Sequence, residues 1–113
     1  MLKTAAALSD RVGAGASFHG GFLVTDKPDS PHLLAPKIRA RLYFAIASDD
    51  DKREPGVKDK LREAFAAAKV RAEVEVYPNA LHGWCVPDSK AADNKADAER
   101  AWAKLVALYK AAL

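Results

Sequence analysis

Two short segments carry the residues with the clearest chemical potential. Asp49-Asp50-Asp51 supplies clustered carboxylates, and Leu81-His82-Gly83-Trp84 supplies an imidazole. A histidine acting as general base must be held in one tautomer and stabilised once it takes a proton. A neighbouring carboxylate does both. Each segment alone has an ordinary explanation: an aspartate cluster as a solvated turn or helix cap, a histidine before glycine as a loop residue. A third polar segment, His19-Gly20-Gly21, offers a second imidazole beside a turn. His19 fits a pocket wall and a structural role equally well, and the glycine pair reads first as a simple turn. His32 reads as a loop surface residue. Cys85 stands three residues after His82, but its loop has no elbow signal and Pro87 follows closely, so it reads as a passive thiol. Trp84 reads as a core aromatic before a pocket wall.

The elements that must position these residues follow from periodicity. Residues 2 to 8 are Ala-rich and fit the end of a helix. Val12 to Phe18 is small and apolar, a short strand closed by Gly20-Gly21. Pro28, Pro31 and Pro36 exclude a long element from 22 to 40, apart from a helical turn around Leu33 and Leu34. Arg41 to Ala47 is a continuous apolar run after one charge, as in a strand buried on both faces of a parallel sheet, and it stops at Ser48-Asp49-Asp50-Asp51. Val57, Leu61, Ala64, Phe65 and Ala68 recur at helical spacing within a helix from about 57 to 69. Ala72 to Tyr77 alternates, with Glu73 and Glu75 on a face read as wet, so this strand belongs near the sheet edge. A final helix runs from near Asp93, its expected N-cap, to Ala112, with Ala98, Trp102, Leu105, Val106 and Tyr109 as the expected inward stripe.

Strands alternating with amphipathic helices predict an α/β fold: about three parallel strands with flanking helices. In such sheets, ligand sites lie beyond the carboxyl ends of the strands, where the His19, Asp49–Asp51 and His82 segments all fall. An acid after one strand and a histidine after the next is the tail of the order nucleophile, acid, histidine.

Length and composition agree. The 113 residues fit a single domain, residues 1–113, and half are hydrophobic. Eighteen basic and fifteen acidic residues are interleaved, so the net charge of +3 does not point to nucleic acid. The short apolar N-terminus is followed too soon by Asp10 and Arg11 to read as a signal peptide, and no run reaches transmembrane length. One cysteine allows no internal disulfide and suits a reducing cytoplasm.

Ser17-Phe18-His19-Gly20-Gly21, the run from Ser30 to Ile38, Leu42-Tyr43-Phe44-Ala45-Ile46-Ala47 and Tyr77-Pro78-Asn79-Ala80-Leu81-His82-Gly83-Trp84 together resemble the dienelactone hydrolase family. The resemblance spans about Asp10 to Tyr109 and corresponds to the C-terminal portion of that family's fold. It implies an α/β-hydrolase, a Cys-His-Asp triad acting on a small ester or lactone, and no cofactor or metal. Carried over, His82 matches the base. Asp50 matches the acid by its distance from the strand, with Asp51 the alternative by its distance to Pro55. The family's Gly-x-Cys-x-Gly elbow has no counterpart, and Gly13-Ala14-Gly15-Ala16-Ser17 does not supply one. Nor does an arginine follow His82 closely, as it does in members with anionic lactones. Two functions are therefore expected to compete. One is a hydrolase portion completed by another chain or segment. The other is a non-catalytic remnant that binds a partner or a second copy of itself.

Overall fold

The computed structural model describes residues 1–88 and 94–113. In chain order it has α1 (Leu2–Ala7), β1 (Ala14–Ser17), a 3-10 helix (Pro31–Lys37), β2 (Arg41–Ala47), α2 (Ser48–Arg53), α3 (Gly56–Ala67), β3 (Ala72–Tyr77) and α4 (Lys95–Ala112). The three strands form one parallel sheet in the order β1-β2-β3. The expected α/β class, three parallel strands with flanking helices, is what the chain adopts.

Strand β2 sits in the centre and is covered on both faces. Its alternate side chains divide between two cores, as a period of two requires. Leu42 and Phe44 join Leu2, Ala5, Leu61 and Phe65 on the face covered by α1 and α3. Phe44 stacks on Phe65 with ring centroids 5.4 Å apart. Tyr43, Ala45 and Ala47 face the other way and join Tyr77, Trp84, Ala101 and Leu108 beneath α4. A strand with two buried faces can be apolar without interruption, which explains the run from Leu42 to Ala47.

Between β1 and β2 the regular piece is the seven-residue 3-10 helix Pro31–Lys37, longer than the single turn expected and with Pro36 inside it, and one buried polar side chain fixes the preceding loop. Ser30 Oγ accepts from the Thr25 amide at 2.8 Å and bonds His32 Nδ1. His32 is thereby held partly buried rather than free on the surface. Helix α3 ends in a paired closure, with Val70 N donating to Phe65 O at 2.9 Å and Lys69 N to Ala66 O at 3.1 Å. Lys69 occupies the left-handed position of this motif, φ 58°, where glycine is usual.

Of the two ordinary readings of the aspartate cluster, turn or helix start, the structure takes the second: Asp49, Asp50 and Asp51 lie in the first turn of α2, where carboxylates complement the helix dipole. Two sequence-based expectations change. First, the face of β3 carrying Glu73 and Glu75 is not simply wet. Helix α4 lies over it, with Arg100 on Glu75 at 2.6 Å and Lys104 on Glu73 and Glu75 at 2.9 Å each. Second, α4 does not turn Trp102 and Tyr109 inward; they are 64% and 44% exposed. The inward residues are Ala101 and Leu108. The physical reason is the surface being covered. Tyr43 and Tyr77 rise from the sheet with their hydroxyls 2.8 Å apart, and Glu75 needs cations. A small residue at 101, with Arg100 4.2 Å above the Tyr77 ring, satisfies both demands. Desolvation pushes both phenols up, so they stay neutral partners.

Asp93 lies outside the described residues. The side chain that caps α4 is Asn94, which accepts from Asp97 N at 3.1 Å and donates to Asn79 O at 2.9 Å. No helix among the described residues is long and apolar enough to cross a membrane.

Trp84 is a core residue, 2% exposed, packed on Tyr77 at 5.3 Å. Its indole Nε1 is buried with no hydrogen-bond partner among the described residues. Volume rather than polarity therefore carries its contribution. Trp84→Phe is expected to cost less than about 1.5 kcal/mol in denaturant unfolding, against roughly 3–5 kcal/mol for Trp84→Ala. Equal losses in the two variants would mean that the indole N–H makes a bond that matters.

Candidate active site

Adjacent strand ends build the site. In the parallel register Ala47 pairs with Tyr77, so the segments that follow them emerge side by side. Ser48 locks them together: its amide donates to Ala80 O at 2.8 Å and its hydroxyl to the same oxygen at 2.9 Å. Asp49 adds a second tie. Its Oδ1 accepts from the His82 amide at 3.0 Å and from the Asp50 amide at 2.9 Å. The His82 backbone is thus placed before its side chain makes any contact.

Between the side chains, His82 Nδ1 lies 2.7 Å from Asp50 Oδ2. A carboxylate only accepts, so Nδ1 carries the proton and Nε2 is left as the basic nitrogen. Arg53, one turn further along α2, donates to the other Asp50 oxygen at 2.7 Å. The Asp50 side chain is 20% exposed and that of His82 is 50% exposed, so the imidazole is open to a ligand while its carboxylate is sheltered. Asp51, the alternative acid, points elsewhere and accepts from Lys58 at 2.8 Å. The structure brings Asp50, not Asp51, to His82.

His19 comes from the end of β1 and supports the same loop. Its Nδ1 accepts from the Gly83 amide at 3.1 Å. Its ring stands edge-on to Trp84, centroids 4.8 Å apart, and 5.5 Å from that of His82. Burial first, and then the nearby His82, lower its pKa below the ordinary histidine value. Neutral His19 keeps Nδ1 free to accept, which is the state this contact requires. Gly83 turns the loop with φ 93°, a backbone that side-chain-bearing residues rarely adopt.

A cleft of about 250 Å³ opens beside His82, lined by Asp50 and Arg53, by Ile46 and Val57, and by the Gly20–Leu23 loop. Larger grooves exist, but they lie at the opposite end of the sheet, away from the histidine. Cys85 is not prepared as a nucleophile. Desolvation, and then Asp97, raise its thiol pKa, the reverse of activation. Ser17 is the last residue of β1, and no hydrogen bond joins it to His82 among the described residues. Among the described residues, no group of three or more His, Cys, Asp or Glu is placed to hold a metal ion.

Sequence reasoning singled out Asp50 and His82 but not the residues that hold them. Asp49 was indistinguishable from its neighbours within a run of three aspartates. Arg53 became relevant only once α2 was helical, since i and i+3 then share a face.

Comparison with known proteins bears on the family and the fold. The profile of the dienelactone hydrolase family matches residues 1–113. No curated protein matches. Among solved structures, a protein from Klebsiella pneumoniae subsp. pneumoniae MGH 78578 assigned to the dienelactone hydrolases superposes with a TM-score of 0.81 at 22% identity, over 96% of this chain. The chain spans 46% of the length of that structure.

The Asp50 contact makes a spectroscopic prediction. Long-range proton–nitrogen NMR of the His82 ring is expected to show the Nδ1–H tautomer in the parent chain and in Asp51→Asn, and its loss in Asp50→Ala. A change in Asp51→Asn instead would transfer the pairing to Asp51. With a parallel sheet and the family profile matching residues 1–113, the chain belongs to the dienelactone hydrolase family.

Proposed function

We propose that this chain contributes the acid and the histidine of a hydrolytic centre acting on small esters or lactones. The observation that carries the reading is the 2.7 Å contact between His82 Nδ1 and Asp50 Oδ2 at neighbouring strand ends, with the half-exposed His82 ring lining a cleft. In this reading His82 Nε2 takes the proton of a nucleophile as that nucleophile attacks the carbonyl carbon. Asp50 stabilises the resulting imidazolium without itself taking the proton. The imidazolium then protonates the leaving alkoxide. Water, deprotonated by the same nitrogen, releases the acyl group as an acid and regenerates the nucleophile. Arg53 holds the far oxygen of Asp50, so the carboxylate keeps its orientation through the cycle.

The nucleophile comes from outside these 113 residues, in this proposal a cysteine on an elbow brought by a complementing chain or segment. No cofactor is required by this chemistry. The single thiol, Cys85, and the absence of any need for a disulfide suit a reducing cytoplasm.

The test is hydrolysis of a p-nitrophenyl ester by the chain alone, and by the chain mixed with the elbow-bearing N-terminal segment of a family member, each beside His82→Ala. Turnover that requires both the mixture and His82 is the expected result. Turnover by the chain alone that disappears in His82→Ala would place the nucleophile inside it. Equal rates with and without His82 would end the catalytic reading.

A second reading, partner binding, rests on α4. Trp102 and Tyr109, one helical stripe apart from the buried Ala101 and Leu108, leave an aromatic face exposed. Apolar faces of this kind mark interfaces. Here the occupant is a second copy of the chain or the complementing segment. Light scattering after gel filtration is expected to give a dimer that Trp102→Glu converts to monomer. A monodisperse monomer for the parent chain would remove the self-association arm.

A further inference from the structure

The interleaved charges of the sequence do not stay interleaved in the fold. Arg39, Arg41, Lys69 and Arg71 come together around one groove of about 500 Å³ at the N-terminal ends of β2 and β3. Arg39 and Arg41 lead into β2, Arg71 leads into β3, and Lys69 closes α3. The parallel register places these entries side by side, with Leu42 N donating to Arg71 O at 2.8 Å. All four side chains belong to exposed residues, and among the described residues none of them makes an ion pair. No aspartate or glutamate lines the groove; its remaining walls are small or aliphatic, including Ile38, Val70 and the end of α4.

Lys69 adds an independent observation. It holds the left-handed position of the α3 closure, φ 58°, where glycine would sit without strain. Lysine at this position costs the backbone something that glycine would not, and its side chain adds a fourth cation to the groove. Favourable interaction with helix C-termini explains one cation here, that of Lys69. It does not explain three arginines delivered by strand entries.

We propose that this groove binds a compound bearing clustered phosphates, of the di- or triphosphate class. Four converging cations match several negative charges at short spacing, and arginine forks suit phosphate oxygens. The volume falls within the range of small-molecule sites. No aromatic side chain lines the groove, so it offers no stacking platform for bases, and a nucleic acid is the poorer match. The groove lies at the opposite pole of the sheet from the Asp50–His82 pair, about 20 Å away along β2 at roughly 3.3 Å per residue. It therefore stands or falls separately from the hydrolytic reading.

The test is calorimetric titration of the chain with inorganic tripolyphosphate at near-physiological salt. Saturable 1:1 binding is expected, weakened roughly tenfold or more by Arg39→Gln/Arg71→Gln through loss of charge-assisted bonds. Lys3→Gln/Lys60→Gln removes the same charge elsewhere and should leave the affinity unchanged. Lys69→Gly separates binding from folding: glycine relieves the turn, so the melting temperature should rise while affinity falls. Absence of saturable binding, an equal loss in the Lys3/Lys60 control, undiminished affinity in Lys69→Gly, or tighter binding of a short RNA than of tripolyphosphate would each overturn the proposal.

Discussion

Strand β2 must be covered on both faces, and most of the structure answers that demand. Its residues alternate between the core of Leu61 and Phe65 and the core of Trp84 and Ala101. Because the neighbouring strands are parallel, each connection must cross over a face; the 3-10 helix and α3, which lie in the two crossovers, both pack into the core of Leu61 and Phe65, and α4, which follows β3, covers the opposite face. The same geometry fixes polarity. All strand entries collect at one end of the sheet and all exits at the other. Chemistry that depends on several strand ends is then set by register rather than by long side chains reaching across the molecule.

At the exit end, Asp50 and His82 are 32 residues apart in sequence, yet the backbone brings them together before they bond. Ser48 joins the two exits through Ala80 O, and Asp49 holds the His82 amide. His19 braces the following residue from β1. Residues after β1 and β2 thus brace the short loop that follows β3, His19 from the one and Ser48 and Asp49 from the other. A half-exposed side-chain hydrogen bond taken alone is worth little in water. Here its geometry is maintained by backbone hydrogen bonds whose partners are fixed by the sheet, so the orientation of the imidazole does not depend on the strength of the pair.

Much of this was legible in the amino-acid sequence, for identifiable reasons. The bounds of β2 and β3, Arg41–Ala47 and Ala72–Tyr77, coincide with the expected strands, because a two-sided apolar run and a strict alternation are strong local signals. The pairing of an acid after β2 with a histidine after β3 followed from strand order. What escaped reading depends on contacts between elements. Helix α2 is six residues long and has no buried residue, so no apolar periodicity announces it. The choice between Asp50 and Asp51 waits on that helix, which turns successive side chains about 100° apart and sends one to His82 and the other to Lys58. The inward face of α4 was misread because two stripes compete: Trp102 and Tyr109 are the more apolar, but Arg100 and Lys104 are the ones that Glu73 and Glu75 require.

That last outcome shows how electrostatics selects among hydrophobic alternatives. Turning α4 to bury Trp102 would leave Glu75 on a covered face without cations, and an unpaired carboxylate in a sheltered site costs more than an exposed indole. With Arg100 and Lys104 inward, Arg100 also lies over Tyr77 and Lys104 lies 5.6 Å over Tyr43, so the phenol pair gains cations above it. The exposed aromatic face of α4 is then a consequence of satisfying the charges of β3, not a failure of packing. It leaves the helix with two faces of different use: a polar-paired one that closes this chain's own sheet, and an aromatic one directed away from it.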